Sequence, residues 1–112
     1  MIDDYDFGHV AVEGKEYRSD VIVFPERVVD SWRRKEGHRL CLDDLQPALD
    51  WQPEVLVIGQ GQPGRMKVPP ALVEELRRRG VEVFVGPTRK AVAEYNRLQG
   101  SRKTAAALHL TC

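Results

Sequence analysis

The chain has 112 residues, 42% hydrophobic and 30% charged, enough for one domain with one core and too few for two. Seventeen Lys and Arg balance seventeen Asp and Glu, so no global charge draws the molecule to nucleic acid or to a membrane surface. The runs VIVF and VLVI are far too short to span a bilayer, the acidic start MIDDYDFGHV lacks a signal-like apolar region, and two cysteines make no disulfide framework, so the expected setting is the cytosol.

In chain order, FGHVAVEGKEYRSDVIVF reads as sheet, with a turn at Glu13-Gly14-Lys15 and an apolar run from Val21 to Phe24 that Pro25 ends. Residues 26–40 have mixed apolar spacing and predict a short strand and an irregular segment. CLDDLQPALDWQP predicts one short helix capped by Asp43 or Asp44, with Pro47 in its first turn and its end near Trp51. EVLVIG is a buried strand. Pro69 and Pro70 open the next helix, where a missing N–H is harmless. That helix turns Leu72, Val73 and Leu76 inward, pairs Glu74 with Arg78 and Glu75 with Arg79, and stops at Gly80. VEVFVG is a further strand. PTRKAVAEYNRLQG is a helix with Thr88 as N-cap, Val92, Tyr95 and Leu98 inside, and Gly100 as its stop. TAAALHL closes the sheet. The C-terminal half is thus a βαβα unit with parallel strands, and the whole chain, 1–112, is a single α/β domain with a mixed sheet and an N-terminal hairpin.

The loop GQGQPG, with Gly59, Gly61 and Gly64, matches the letters of a dinucleotide fingerprint but not its context. Pro63 precedes the third glycine, the helix waits until Pro69, no acidic residue closes the following strand, and no lysine precedes Ser or Thr as a P-loop requires. A glycine-rich strand exit that needs a tight backbone path is the simpler reading. In open α/β sheets, ligands gather beyond the carboxyl ends of parallel strands, where two loops should meet here. They carry Gly59, Gly61, Arg65 and Lys67, and Thr88, Arg89 and Lys90. Positive charge in the first turn of a helix opposes its dipole at about 0.3–1 kcal/mol per site, a cost that an anion would offset. An anionic ligand there stands against four solvated side chains.

No catalytic constellation is evident. His9, His38 and His109 are far apart, and HRLC supplies at most two metal ligands, so no metal site is assigned. Cys41 lies between leucines and reads as an inert buried thiol, Cys112 as a free exposed one, Asp20 as a turn residue before a strand, and Trp32 and Trp51 as core or interface anchors. No cofactor is called for.

Several stretches together resemble a known family: GHVAVEGKEYRSDVIVFP, GHRLCLDDLQ, PEVLVIGQGQPGRMKVP, LRRRGVEVFVGPTRKAVAEYNRL and AAALHL. The family is the MTH938-like domain of unknown function, which includes the adipogenesis-associated domain-containing protein and a mitochondrial assembly factor for respiratory complex I. The matching positions are Gly59 and Gly61, Asp20, Trp32 and His38, and Thr88, Ala91, Tyr95, Asn96 and Leu98. The resemblance implies a three-layer α/β fold with an extra β element, no established catalytic residue or cofactor, and roles exercised through contacts with another protein. The leading expectation is a non-catalytic protein-binding or assembly module. The alternative is a small anion-binding protein or enzyme using the basic strand-end loops. Nucleic-acid binding through WRRK and LRRRG is a third reading that the balanced charge disfavours.

Overall fold

Runs of β-branched residues and alanines assemble the centre of the molecule. A computed structural model describes residues 1–112 in full. The strands are β1 (Ile2–Asp6), β2 (His9–Val12), β3 (Lys15–Tyr17), β4 (Val21–Val23), β5 (Val28–Val29), β6 (Val55–Gln60), β7 (Glu82–Gly86) and β8 (Thr104–His109). The helices are α1 (Gln46–Leu49), α2 (Pro70–Arg78) and α3 (Thr88–Leu98), with a 3-10 turn at Leu42–Leu45 before α1. β1, β2 and β3 form an antiparallel sheet, and the other five strands form a mixed sheet in the order β5-β4-β8-β6-β7. β6 runs parallel to both β7 and β8, whereas β4 is antiparallel to β8.

The large sheet separates two apolar layers. On one face Ile22, Leu56, Ile58 and Ala107 pack with Leu45, Leu72, Leu76 and Trp32 from the helical side and its loop. On the other, Val21, Val57, Ala106 and Leu108 meet Ala91 and Tyr95 of α3 and Ile2, Tyr5, Val10 and Val12 of the small sheet. The three-layer α/β arrangement expected from the motifs is therefore present. The N-terminal element is larger than a hairpin, because β1 adds a third strand. At the β2–β3 turn, Glu13 and Gly14 both take positive φ, 48° and 80°, the conformation of a tight two-residue hairpin.

Four local expectations need correction. β8 does not close the sheet but sits between β4 and β6, where Ala105, Ala106 and Ala107 are buried and leave both faces room for larger neighbours. The helix before Trp51 is a 3-10 turn followed by α1, capped at Cys41 rather than at Asp43 or Asp44. The Asp44 carboxylate folds back to accept the Cys41 N–H at 2.9 Å, and its own carbonyl accepts Trp32 Nε1 at 2.8 Å. Thr88 is the first helical residue of α3, with Pro87 as N-cap. Finally, Glu75 takes both Arg78 and Arg79, at 2.7 and 2.9 Å, and Glu74 has no ion pair.

Candidate functional site

The carboxyl ends of β6, β7 and β8 and the N-terminal end of β4 share one rim, since β4 runs antiparallel to β8. The glycine loop leaves β6 there. The Gly61 N–H donates to Thr88 Oγ1 at 2.8 Å, the Thr88 hydroxyl donates to the His109 carbonyl at 2.5 Å, and the Thr88 N–H donates to the Gly61 carbonyl at 3.0 Å. Thr88, fully buried, thus uses its side chain to join β6, α3 and β8 rather than to cap its own helix. The two loops expected to meet at this rim do meet.

The glycines answer to steric need. A Cβ on Gly59 would lie 2.8 Å from Thr88 Oγ1 and 3.0 Å from Leu108 Cδ2. Gly61 has φ +93°, and a Cβ there would strike the Thr111 carbonyl and approach His109 Cδ2 at 2.8 Å. The hollow that a phosphate would need at these two positions is filled by the protein's own chain. The Gln62 N–H then donates to the Thr111 carbonyl at 2.8 Å, and the Arg65 N–H to the Cys112 carbonyl at 2.9 Å.

Behind the loop lies a cluster that no local pattern announced. Asp20 Oδ2 accepts from Arg34 Nη1 at 2.9 Å and from His109 Nδ1 at 2.8 Å, while Oδ1 accepts the Leu110 N–H at 2.8 Å. The side chains of Arg34 and His109 are 5% and 7% exposed, and that of Asp20 is 17% exposed. Arg34 also donates through Nε and Nη2 to the Gly37 carbonyl, at 3.2 and 2.9 Å, and its guanidinium lies 4.9 Å from the Trp32 ring centre. The same Nδ1 lies 3.1 Å from Arg34 Nη2, and Nε2 is buried without a partner. His38 sets its ring edgewise to His109, with centroids 5.7 Å apart. Burial pushes the Asp20 carboxyl up, but hydrogen bonds from His109, the Leu110 N–H and Arg34 outweigh burial and hold it below its ordinary range.

The remaining expected site residues divide. Arg65, Lys67 and Lys90 are exposed and make no side-chain ion pair or hydrogen bond. Arg89 instead turns to the small sheet, with Nη2 3.8 Å from Asp6 Oδ1, Nη1 3.4 Å from the Tyr5 carbonyl and the guanidinium 5.4 Å from the Tyr5 ring centre. The charge at the start of α3 is thus offset from within the chain by Asp6. Trp32 is buried in the core, and Trp51 is half-buried against Phe24, their rings edge to face at 5.1 Å. Tyr95 is wholly buried with its hydroxyl unpartnered, and Asn96 clamps Ile2 by accepting its N–H and donating to its carbonyl, both at 2.8 Å. Asp20 is no simple turn residue, and both cysteines are half-buried, with the Cys41 thiol 3.2 Å from Asp44 Oδ2. Sequence reasoning misses Arg34 and His109 as partners of Asp20. They lie 14 and 89 residues from it, separations at which no spacing rule operates.

Two shallow depressions lie elsewhere on the surface: one between Leu49, Pro53 and Val81, another along Val68, Val73, Val83 and Val85. No helix is long and apolar enough to cross a membrane.

The sheet order, the small sheet packed with α3 and the braced rim define a class of single-domain three-layer α/β proteins. Within that class the chain belongs to the family described as "Protein of unknown function (DUF498/DUF598)", whose profile matches residues 2–109. The conserved hypothetical protein PH1505 from Pyrococcus horikoshii OT3 is 27% identical, with a TM-score of 0.85 over 100% of this chain and 99% of that one. The solved structure named MT938 is 31% identical, with a TM-score of 0.82 over 100% and 98%. A Bordetella pertussis protein described as a Mth938-like domain shares the fold at 22% identity, with a TM-score of 0.76 over 98% and 85%. The MTH938-like resemblance read from the motifs is borne out.

Proposed function

We propose that this chain is a non-catalytic protein-binding module of the assembly type, acting in the cytosol, whose recognition surface is the free edge of β7. The state of that edge carries the reading. The Glu82 N–H donates to the Glu54 carbonyl at 2.9 Å, so Glu82, Phe84 and Gly86 turn their backbone groups to β6 and the intervening Val83 and Val85 turn theirs outward. Val83, Phe84 and Val85 are half-buried, apolar side chains on both faces of an open edge. The other edges are guarded. β5 has two residues, β1 is irregular in register and carries Asp3, Asp4 and Asp6, and β3 exposes Lys15 and Glu16. Open apolar edges are where extended polypeptides add a strand. By contrast, Asp20, Arg34 and His109 are turned inward and spent on one another, which suits a brace of the rim better than a site of turnover.

The test uses a peptide with the sequence of residues 81–86, titrated into dilute protein and followed by amide NMR. Slowed hydrogen exchange at Val83 and Val85 is expected. Binding elsewhere, or no binding, would overturn the reading.

A second reading has one observation behind it. The first turn of α3 lacks a side-chain cap, and the Arg89 and Lys90 N–H groups have no acceptor in the protein, beside the unpaired Lys90, Arg65 and Lys67 side chains. On that reading the rim holds a small anion. Phosphate titration should then shift those two amides, and shifts that persist in Lys90→Glu would count against it.

A further inference from the structure

We infer that the strand added to β7 is β7 of a second copy, the two chains meeting about a two-fold axis through Phe84. The inference rests on the open-edge reading and names its partner. The available backbone groups are few and symmetric. The Val81 N–H is already given to the Leu76 carbonyl at 3.1 Å, and Pro87 has no N–H to offer. Val83 and Val85 remain, one on each side of Phe84. In an antiparallel pair centred on Phe84, Val83 of one copy lies opposite Val85 of the other, and each exchanges both its N–H and its carbonyl. No outward donor within the strand is left over. The same register places β-branched side chains opposite one another on the α2 face and the two Phe84 side chains opposite one another on the α3 face.

Charge then selects a copy of this chain over an arbitrary strand. The groove beside β7 is lined by Val68, Val73, Val83 and Val85, with Glu74 and Arg77 on its helical side. Both charged residues are exposed, and neither has an ion partner, although Glu75 and Arg78 on the same helix and Arg79 just after it are all paired. α2 flanks the open edge, so the two-fold that pairs the strands brings α2 of each copy antiparallel to the other. Glu74 of one copy then faces Arg77 of its mate, twice over. The surface is complementary to itself, the requirement for an isologous interface.

Sedimentation of the full chain from micromolar to millimolar concentration reads the association directly. A monomer–dimer equilibrium is expected, with Val83 and Val85 amide exchange slowing as the dimer fills. Arg77→Glu sets carboxylates against Glu74 of the mate and should weaken the dimer about tenfold. The double exchange Glu74→Arg with Arg77→Glu restores opposite charges across the axis and should recover the wild-type constant to within about threefold. Both variants leave the core untouched. A chain monomeric throughout, a dimer whose Val83 and Val85 amides exchange as in the monomer, or a double exchange that fails to recover association each overturns the inference. If the chain stays monomeric while the 81–86 peptide still protects those amides, only the identity of the partner falls and the open-edge reading survives.

Discussion

At the scale of single residues, two buried polar groups make opposite demands. The Tyr95 hydroxyl is buried without a partner, and burial, aided by the charge of Glu13, pushes its pKa up to about 12. A tyrosine whose folded pKa is raised contributes fully below its unfolded value near 10, and that contribution is lost as pH climbs through the folded value. Tyr95→Phe removes an unsatisfied hydroxyl, so a gain of about 1 kcal/mol at neutral pH is expected, together with a flatter decline between about pH 10 and 12. Urea unfolding across that range checks both parts. Asp20 behaves in the reverse sense. Its depressed pKa contributes stability that is present above the ordinary carboxylate value and lost as pH falls through the folded one, below about pH 4. Asp20→Asn strands the Arg34 guanidinium, 5% exposed, without its carboxylate, at a cost of about 3 kcal/mol at neutral pH. Adding Arg34→Met should recover much of that loss, because the unpaired charge goes with it. A double variant as unstable as the sum of the two single ones would show that the pair is not coupled.

At the scale of elements, the rim depends on one hydroxyl. Thr88 Oγ1 accepts from Gly61 and donates to the His109 carbonyl, so Thr88→Val leaves a buried N–H and a buried carbonyl unpaired at similar side-chain volume. A loss of about 1–3 kcal/mol is expected, read as a lower denaturant midpoint at constant slope. The βαβα half is legible from sequence because each piece is local: VLVI and VEVFVG are apolar runs, and Leu72, Leu76, Ala91 and Tyr95 follow a helical period. The cap of α3 departs from expectation for a physical reason. A threonine before a helix usually serves that helix, and only the approach of β8 gives this one a better acceptor. β1 is hidden in the sequence because Asp3, Asp4 and Asp6 crowd it, and its irregular register turns Ile2 and Tyr5 inward at a spacing unlike simple alternation. The central position of β8 follows from pairing order, and the Asp20–Arg34–His109 brace joins residues from three distant segments. Neither leaves a trace in local spacing. The basic loops are legible as neighbours, but not Arg89's attachment to Asp6, which belongs to the docking of the small sheet.

At the scale of the whole molecule, the question is whether the small sheet and the large one open as one unit. Ile2, Tyr5, Val10 and Val12 are all at most 4% exposed, and burying four such side chains contributes on the order of 6–12 kcal/mol. Against this the polar ties are few: Asn96 clamps both backbone groups of Ile2, the Tyr5 hydroxyl and the Gly8 N–H both donate to the Leu110 carbonyl, each at 2.9 Å, and the exposed Arg89 reaches the Tyr5 carbonyl and Asp6. Apolar packing therefore keeps the sheet docked, and the clamp governs how often its leading strand lifts. Asn96→Ala removes about 1–3 kcal/mol from that local equilibrium, which raises exchange of the Ile2 amide and its β1–β2 neighbours about 10- to 100-fold. Exchange in β6, which is paired on both sides by β7 and β8, should follow global stability alone and rise less. Native-state hydrogen exchange on the variant separates the cases. A larger rise in β1 than in β6 marks the small sheet as a separately opening layer carried on α3. An equal rise in both strands would mean that the two sheets form one cooperative unit, and that lifting β1 requires unfolding the whole domain.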